Sequence, residues 1–66
     1  MGYNIKEVRE ERRMTQEELS AKSGVSRAII SGLESGKITS TTIKTLAKLA
    51  AALDTTIDNI FFAESV

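Results

Sequence analysis

The sequence predicts an all-α fold, a compact bundle of five short helices in one domain over residues 1–66. Apolar residues recur at three- and four-residue intervals, and residues that commonly cap helices stand before each apolar set. The chain contains no proline, so glycines and capping residues mark where one helix ends and the next begins. A chain of 66 residues buries only about 60% of the surface that its unfolded form exposes. We therefore expect a modest free energy of unfolding, or additional stabilisation by association with a partner.

Capping signals place the first two helices. Helix 1 is predicted over about residues 4–13. Thr15 is a candidate N-cap for helix 2, with Glu18 three residues later at the spacing of a capping box. Gly24 ends helix 2, because glycine adopts the left-handed backbone of a helix end at low cost.

The remaining three helices follow the same logic. Ser26 caps helix 3, which runs to about Ser35 and ends at Gly36. Thr42 caps helix 4, and Thr56 caps a last short helix that continues through Phe61. The inward apolar residues predicted for helix 4 follow 3.6-residue spacing: Ile43, Leu46, Ala47, Ala50 and Leu53.

Helices 2 and 3, joined by a short turn with glycine, have the layout of a DNA-binding helix-turn-helix. The motif and the helix 4 that follows it have these characteristic residues: Thr15, Gln16, Leu19, Gly24, Val25, Ser26, Arg27, Ile30, Leu33, Glu34, Gly36, Thr42, Leu46, Leu49, Ala50 and Leu53. On these residues the chain resembles the phage Cro and repressor family over residues 5–61, which implies a lambda-repressor-like DNA-binding domain. Ser20 and Ser23 depart from the family, which more often has alanine and an apolar residue there. The loop at residues 38–41 lacks the common proline and is one residue longer.

The outward face of helix 3 is the candidate surface for reading DNA bases. At about 100° per residue, one arc holds Arg27, Ala28, Ser31, Gly32 and Ser35. Arginine can donate to O6 and N7 of guanine, an alanine methyl can meet the thymine methyl, and serine can donate to a base or a phosphate. Gly32 costs roughly 0.5 to 1 kcal/mol in mid-helix relative to alanine, which indicates close approach to DNA. The resemblance also implies base contacts for Arg27, Ala28 and Gly32. The alternative is a solvated face that tolerates small residues.

Polar residues that flank helix 3 are candidates for contacts with the DNA backbone. Gln16 opens helix 2, and the resemblance implies that its amide binds a phosphate and steadies the first side chain of helix 3. The alternative is an ordinary polar residue of a first helical turn. Hydroxyl and ammonium groups bind phosphates without reading sequence, and the other candidates are Ser26, Lys37, Thr39, Ser40 and Lys44.

The distribution of charge favours DNA binding more than the net charge does. Nine basic and nine acidic residues give a net charge of zero, so little non-specific affinity for DNA is expected. Residues 23–48, however, hold four basic residues against Glu34 alone, and residues 49–66 hold three acidic residues and no basic one. We expect a basic centre around helix 3 and weak DNA binding by a monomer.

Two charged residues fall on faces predicted to point inward. Arg9 lies four residues from Ile5 on helix 1, and Glu34 lies four residues from Ile30 on helix 3. A buried arginine and carboxylate can satisfy each other with two hydrogen bonds, and the resemblance implies such a pair. We expect a structural ion pair between helices 1 and 3 rather than a catalytic or ligand-binding pair.

The last residues carry more apolar bulk than a small core can absorb. Phe61 is expected in the core. Ile57, Phe62 and Val66 form a candidate self-complementary dimer interface. The alternative is a frayed tail with Phe62 folded onto helix 1 near Tyr3.

Composition argues against several classes of function. The chain has no histidine and no cysteine, it lacks a glycine motif for phosphates, and it is too short for a closed pocket, so no enzyme, metal site or cofactor is expected. The amino end has no apolar run for a signal peptide, and the longest apolar stretch, residues 46–53, is too short to span a bilayer. We expect a cytoplasmic protein that does not bind membranes.

The leading hypothesis is a sequence-specific transcriptional regulator, a repressor that binds a palindromic operator in double-stranded DNA as a homodimer, with helix 3 in the major groove. One alternative is an antitoxin-like protein that neutralises a toxin and represses its own operon. Another is a protein-interaction module that does not contact DNA, which the zero net charge permits.

Overall fold

Five helices dominate the computed structural model, which describes residues 2–62 and the side chains of residues 3–61. They are α1 (Ile5–Glu11), α2 (Gln16–Ser23), α3 (Arg27–Ser35), α4 (Ile43–Ala52) and α5 (Ile57–Ile60). Two-residue strands precede and follow them, β1 (Gly2–Tyr3) and β2 (Phe61–Phe62). The predicted all-α class with five helices is confirmed. The longest of these helices, α4, has ten residues, and no helix in the described part of the chain could cross a membrane.

The predicted caps of α2, α3 and α4 are confirmed. The Oγ1 atom of Thr15 accepts from the Glu18 N–H at 3.0 Å, and the Thr15 N–H donates to Glu18 Oε1 at 2.9 Å, which completes the capping box. The hydroxyl oxygens of Ser26 and Thr42 accept in the same way from the third residue of their helices. The glycines that end α2 and α3 are left-handed: Gly24 (φ 75°) and Gly36 (φ 85°).

The hydrophobic core draws on all five helices and on the turn between α2 and α3. Its buried side chains are Ile5, Val8, Leu19, Val25, Ile30, Leu33, Leu46, Leu49, Ala50, Ala52, Leu53 and Ile60. Because α3 packs against α1 and α2, and α2 in turn packs against α4, the core fixes the position of α3.

The predicted inward face of α4 is wrong at two residues. Ile43 is 66% exposed, and Ala47 is exposed. Helical spacing alone fits more than one face of this alanine-rich helix. Leu46 and Leu49 lie on the buried face together with Leu53, and the larger apolar area of leucine decides which face is buried.

Helix α1 is shorter than predicted, since it ends at Glu11 rather than near residue 13. Arg13 takes a left-handed backbone with φ 55°, which ends the helix. Arg12, the C-cap residue, donates from Nε to the carbonyl oxygen of Leu53 at 2.9 Å. The guanidinium therefore satisfies a backbone group at the end of α4, a contact that the sequence did not predict.

The pairing of β1 with β2 was also not predicted. Tyr3 pairs with Phe61 in antiparallel register, and their rings lie 5.4 Å apart. The Asn4 N–H donates to the carbonyl oxygen of Ile60 at 2.9 Å. Phe61 thus leaves the helix predicted for it and adopts an extended backbone, although its half-buried side chain packs against the core as expected.

The predicted dimer interface is only partly described. Ile57 is half-buried against the core rather than free on the surface. The side chain of Phe62 and the whole of Val66 lie outside what the structure describes. The aromatic partner of Tyr3 is Phe61.

Candidate nucleic-acid interface

The exposed face of α3 is its most distinctive surface. Arg27, Ala28, Ser31 and Ser35 are exposed, and we call these four residues the outer arc. On the opposite face, Ile30 and Leu33 are 0% and 3% exposed. Arg27 is the first residue of the helix, directly after the Ser26 N-cap. One long polar side chain therefore projects from a surface that is otherwise made of small residues.

Gly32 does not belong to this exposed surface, and its expected role in close approach to DNA is wrong. The residue is buried, and the side chain of Ile38 lies over it. A Cβ atom at position 32 would lie 2.6 Å from Ile38 Cγ1 and would contact Ile38 Cδ1 as well. The Ile38 N–H also donates to the Gly32 carbonyl oxygen at 3.0 Å. Glycine at this position leaves room for the side chain of Ile38 in the loop that follows α3.

Arg9 and Glu34 form a bidentate ion pair between α1 and α3. Arg9 Nε donates to Glu34 Oε2 at 2.8 Å, and Arg9 Nη2 donates to Glu34 Oε1 at 3.0 Å. The side chains are only 12% and 4% exposed. The hydrogen bonds to Glu34 raise the pKa of Arg9, against the opposing effect of burial. Arg9 Nη1 also donates to the Met14 carbonyl oxygen at 2.7 Å, so the guanidinium ties the α1–α2 connection to α3.

Gln16 joins this ion pair. Its Nε2 donates to Glu34 Oε1 at 3.1 Å, so the amide is directed at the last turn of α3. The sequence resemblance implied a contact with the first side chain of that helix instead. Through Glu34, α1 and the start of α2 both hold α3, which fixes the orientation of the outer arc.

Two serines hold the turn between α2 and α3. The hydroxyl of Ser20 donates to the Val25 carbonyl oxygen at 2.7 Å, and Ser23 Oγ accepts from the Val25 N–H at 3.1 Å. Both serines are among the departures of the chain from the family pattern. The serines satisfy both backbone groups of a buried residue, and they fix the direction in which α3 leaves the turn.

The candidate phosphate contacts lie on exposed segments beside α3. The exposed residues among them are Ser26, Lys37, Thr39, Ser40 and Lys44. The loop that carries three of them is held at Ile38 by Gly32, and the Tyr3 hydroxyl donates to the Thr39 carbonyl oxygen at 3.3 Å. The sequence did not predict this contact of Tyr3 with the loop.

The ion pair also changes the balance of charge around α3. Glu34 is the one acidic residue in residues 23–48, and Arg9 neutralises it. The four basic residues of that segment are therefore uncompensated within it, and all four are exposed: Arg27 on α3, Lys37 in the loop that follows, and Lys44 and Lys48 on α4. A surface of this sign attracts the phosphate backbone of DNA.

Two helices joined by a tight turn, with an exposed and rigidly held second helix, define a helix-turn-helix protein. A helix-turn-helix family model matches residues 5–60. The chain belongs to this family, of the Cro and repressor type, as the sequence resemblance predicted. Proteins of this family are DNA-binding transcriptional regulators.

Two regulators are similar to the chain. It is 37% identical over 62 residues to the uncharacterized HTH-type transcriptional regulator RghRB of Bacillus subtilis (strain 168), covering 94% of this chain and 45% of that protein. It is 45% identical over 53 residues to the uncharacterized HTH-type transcriptional regulator y4dJ of Sinorhizobium fredii (strain NBRC 101917 / NGR234), covering 80% of this chain and 68% of that protein. The chain thus spans less than half of the length of the Bacillus protein.

Proposed function

We propose that the protein is a sequence-specific transcriptional repressor that binds a palindromic operator as a dimer, with α3 in the major groove. The outer arc is the observation that carries this proposal. The major groove of B-DNA admits an α-helix, and the small side chains around Arg27 allow the helix axis to approach the bases. The hydrogen bonds that Arg9 and Gln16 donate to Glu34 orient this surface before DNA binds.

Base reading depends on three residues of the outer arc. Arg27 donates two hydrogen bonds to O6 and N7 of a guanine, which other bases do not offer in this pattern. Ala28 contacts a thymine methyl group, and Ser31 donates to a base edge or a phosphate. Since Arg27 is the one long side chain of the arc, it carries most of the discrimination.

Contacts with the DNA backbone set the register of the protein on the operator. Gln16 and Ser26 lie at the starts of α2 and α3, where backbone N–H groups also favour phosphate. Lys37, Thr39 and Lys44 extend these contacts along the loop and the start of α4, and Ser40 adds a hydroxyl. These residues add affinity without reading sequence.

Dimerisation is proposed from the affinity that an operator requires. One protomer has zero net charge and a single recognition helix, which gives weak binding at physiological salt. Two copies bind half-sites about 10 base pairs apart on one face of the DNA. The candidate interface is Ile57, Phe62 and Val66. Because Ile57 already packs half-buried against the core, Phe62 and Val66 would carry most of this interface.

Repression follows from the same arrangement, since an operator-bound dimer can block transcription without any further contact. Operator binding requires the protein to share a compartment with DNA, which in bacteria is the cytoplasm.

Selection of bound sequences from a random DNA pool, followed by fluorescence anisotropy on the selected site, tests the proposal. Arg27→Ala should weaken binding by about 1 to 3 kcal/mol per half-site and relax the choice at one base position in each. Arg27→Lys keeps the charge and can still donate to O6 and N7 of guanine, but it loses the planar fork, so it should keep a weakened preference for the same base. Lys48→Ala is the matched control, because it removes one positive charge from a residue outside the outer arc. An Arg27→Ala protein that binds with the affinity and selectivity of the wild type would contradict the proposal.

The zero net charge favours one alternative, a protein-interaction module that does not bind DNA. The same titrations separate the two functions. A regulator binds its selected site with an affinity that falls as salt rises, whereas an interaction module shows no enriched sequence and no salt-dependent binding.

A further inference from the structure

A cavity of about 290 Å³ lies beside α3, and its wall includes a lysine that the sequence did not single out. Lys6 lines this cavity together with Gln16 and two residues of the outer arc, Ser31 and Ser35. The ion pair of Arg9 and Glu34 forms the rest of the wall. The cavity therefore lies on the same face of the protein as the proposed base contacts.

The position of Lys6 follows from the ion pair. Lys6 precedes Arg9 by three residues on α1, and residues at this spacing are neighbours on a helix surface. Because Arg9 is bonded to Glu34 on α3, this side of α1 runs along α3. Lys6 is exposed, so its ammonium group can reach past the edge of the cavity.

The charges in the cavity leave Lys6 available for an anion. Both carboxylate oxygens of Glu34 accept hydrogen bonds from Arg9, and Oε1 accepts a third from Gln16. Within residues 3–61, the ion pair of Arg9 with Glu34 is the one that the structure contains. Lys6 thus lines the same cavity as the hydroxyl-bearing Ser31, and a cation with a hydroxyl nearby suits a phosphate group.

We propose that Lys6 binds a backbone phosphate of the operator, so that α1 takes part in DNA binding together with α2 and α3. This inference rests on the proposed function. A different role would be structural: Lys6 lies near Ser35, at the negative end of the α3 dipole, where a cation stabilises a helix. The two roles differ in what they predict, since a phosphate contact affects the salt dependence of binding and a dipole contact affects stability.

Lys6→Gln is the test variant, and Lys48→Gln, which removes the same charge from α4, is the matched control. Binding to the selected operator is measured by fluorescence anisotropy across a salt series, and thermal unfolding is followed by circular dichroism. Each lost phosphate contact should reduce the slope of log K against log salt by about 0.9 per protomer. With this change in slope, the ratio of the wild-type binding constant to that of Lys6→Gln rises about eightfold per protomer when the salt falls from 1 M to 0.1 M. The order of preference among bases and the melting temperature should not change.

Three results would overturn the inference. One is a wild-type slope for Lys6→Gln, and another is a reduction equal to that of Lys48→Gln. The third is a lower melting temperature with an unchanged slope, which would assign Lys6 to the dipole of α3. If Arg27→Ala loses selectivity while Lys6→Gln binds as the wild type does, the inference fails and the proposed function stands. If the wild-type protein shows no salt-dependent binding, both fail.

Discussion

Replacing Gly32 by alanine changes the free energy of unfolding in two opposite ways, through helix propensity and through packing against Ile38. Alanine in an open helix stabilises the folded state by roughly 0.5 to 1 kcal/mol relative to glycine. At this position the new Cβ would lie 2.6 Å from Ile38 Cγ1, so Ile38 must move. Isoleucine has few χ1 alternatives, and its backbone N–H is bonded to the Gly32 carbonyl oxygen. Overpacking of this kind costs about 1 to 3 kcal/mol, so we expect a net destabilisation of about 1 kcal/mol.

Urea unfolding followed by circular dichroism measures this change in the free energy of unfolding. Ser31→Ala, on the exposed side of the same helix, is the control and should be neutral or slightly stabilising. In an Ile38→Ala background the obstruction is gone, so Gly32→Ala should there stabilise by about 0.5 to 1 kcal/mol. If Gly32→Ala stabilises the otherwise unchanged protein by that amount, Ile38 does not pack over Gly32 and the argument is refuted.

Two further predictions concern the interactions that hold the helices. Arg9→Ala and Glu34→Ala should each lower the free energy of unfolding by about 3 to 5 kcal/mol, because each leaves a mostly buried charge without its ion-pair partner. The double variant should lose less than the sum, and additive effects each below about 0.5 kcal/mol in urea unfolding would show that the pair contributes nothing. The N–H of Thr15 holds the pKa of Glu18 below its ordinary value. The hydrogen bond between Thr15 and Glu18 therefore stabilises the folded state above the pKa that Glu18 has in the unfolded chain. This stabilisation is lost as the pH falls through the pKa of Glu18 in the folded state. Glu18→Gln should lose less stability than the wild type between about pH 5 and pH 3, and parallel pH profiles of the melting temperature would contradict this.

Local signals account for what the sequence predicted well. The caps at Thr15, Ser26 and Thr42 are confirmed, because each depends on residues within three positions along the chain. The glycines that end α2 and α3 are local signals of the same kind. These five signals place the starts of the three central helices and the ends of α2 and α3.

The features that the sequence did not predict depend on contacts between different elements of the fold. Tyr3 pairs with Phe61, and two-residue strands leave no recurring pattern in a sequence. Ile38 packs on Gly32, so this mid-helix glycine makes room for a protein side chain rather than for DNA. A glycine with either role looks the same in a sequence. Lys6 could have been found by extending the face of α1 by one turn from Arg9.

Contact between Arg27 and a guanine in the major groove is the central claim, and replacement of single guanines by 7-deazaguanine tests it most directly. The modified base keeps its Watson–Crick pairing but lacks the N7 acceptor that a bidentate arginine requires. Wild-type protein should lose affinity at one guanine of each half-site, by about 1 to 3 kcal/mol. The Arg27→Ala protein should bind the modified and unmodified operators equally well. If no modified guanine weakens the wild-type complex, or if the same guanine weakens the Arg27→Ala complex as much, Arg27 does not read that base and the account is contradicted.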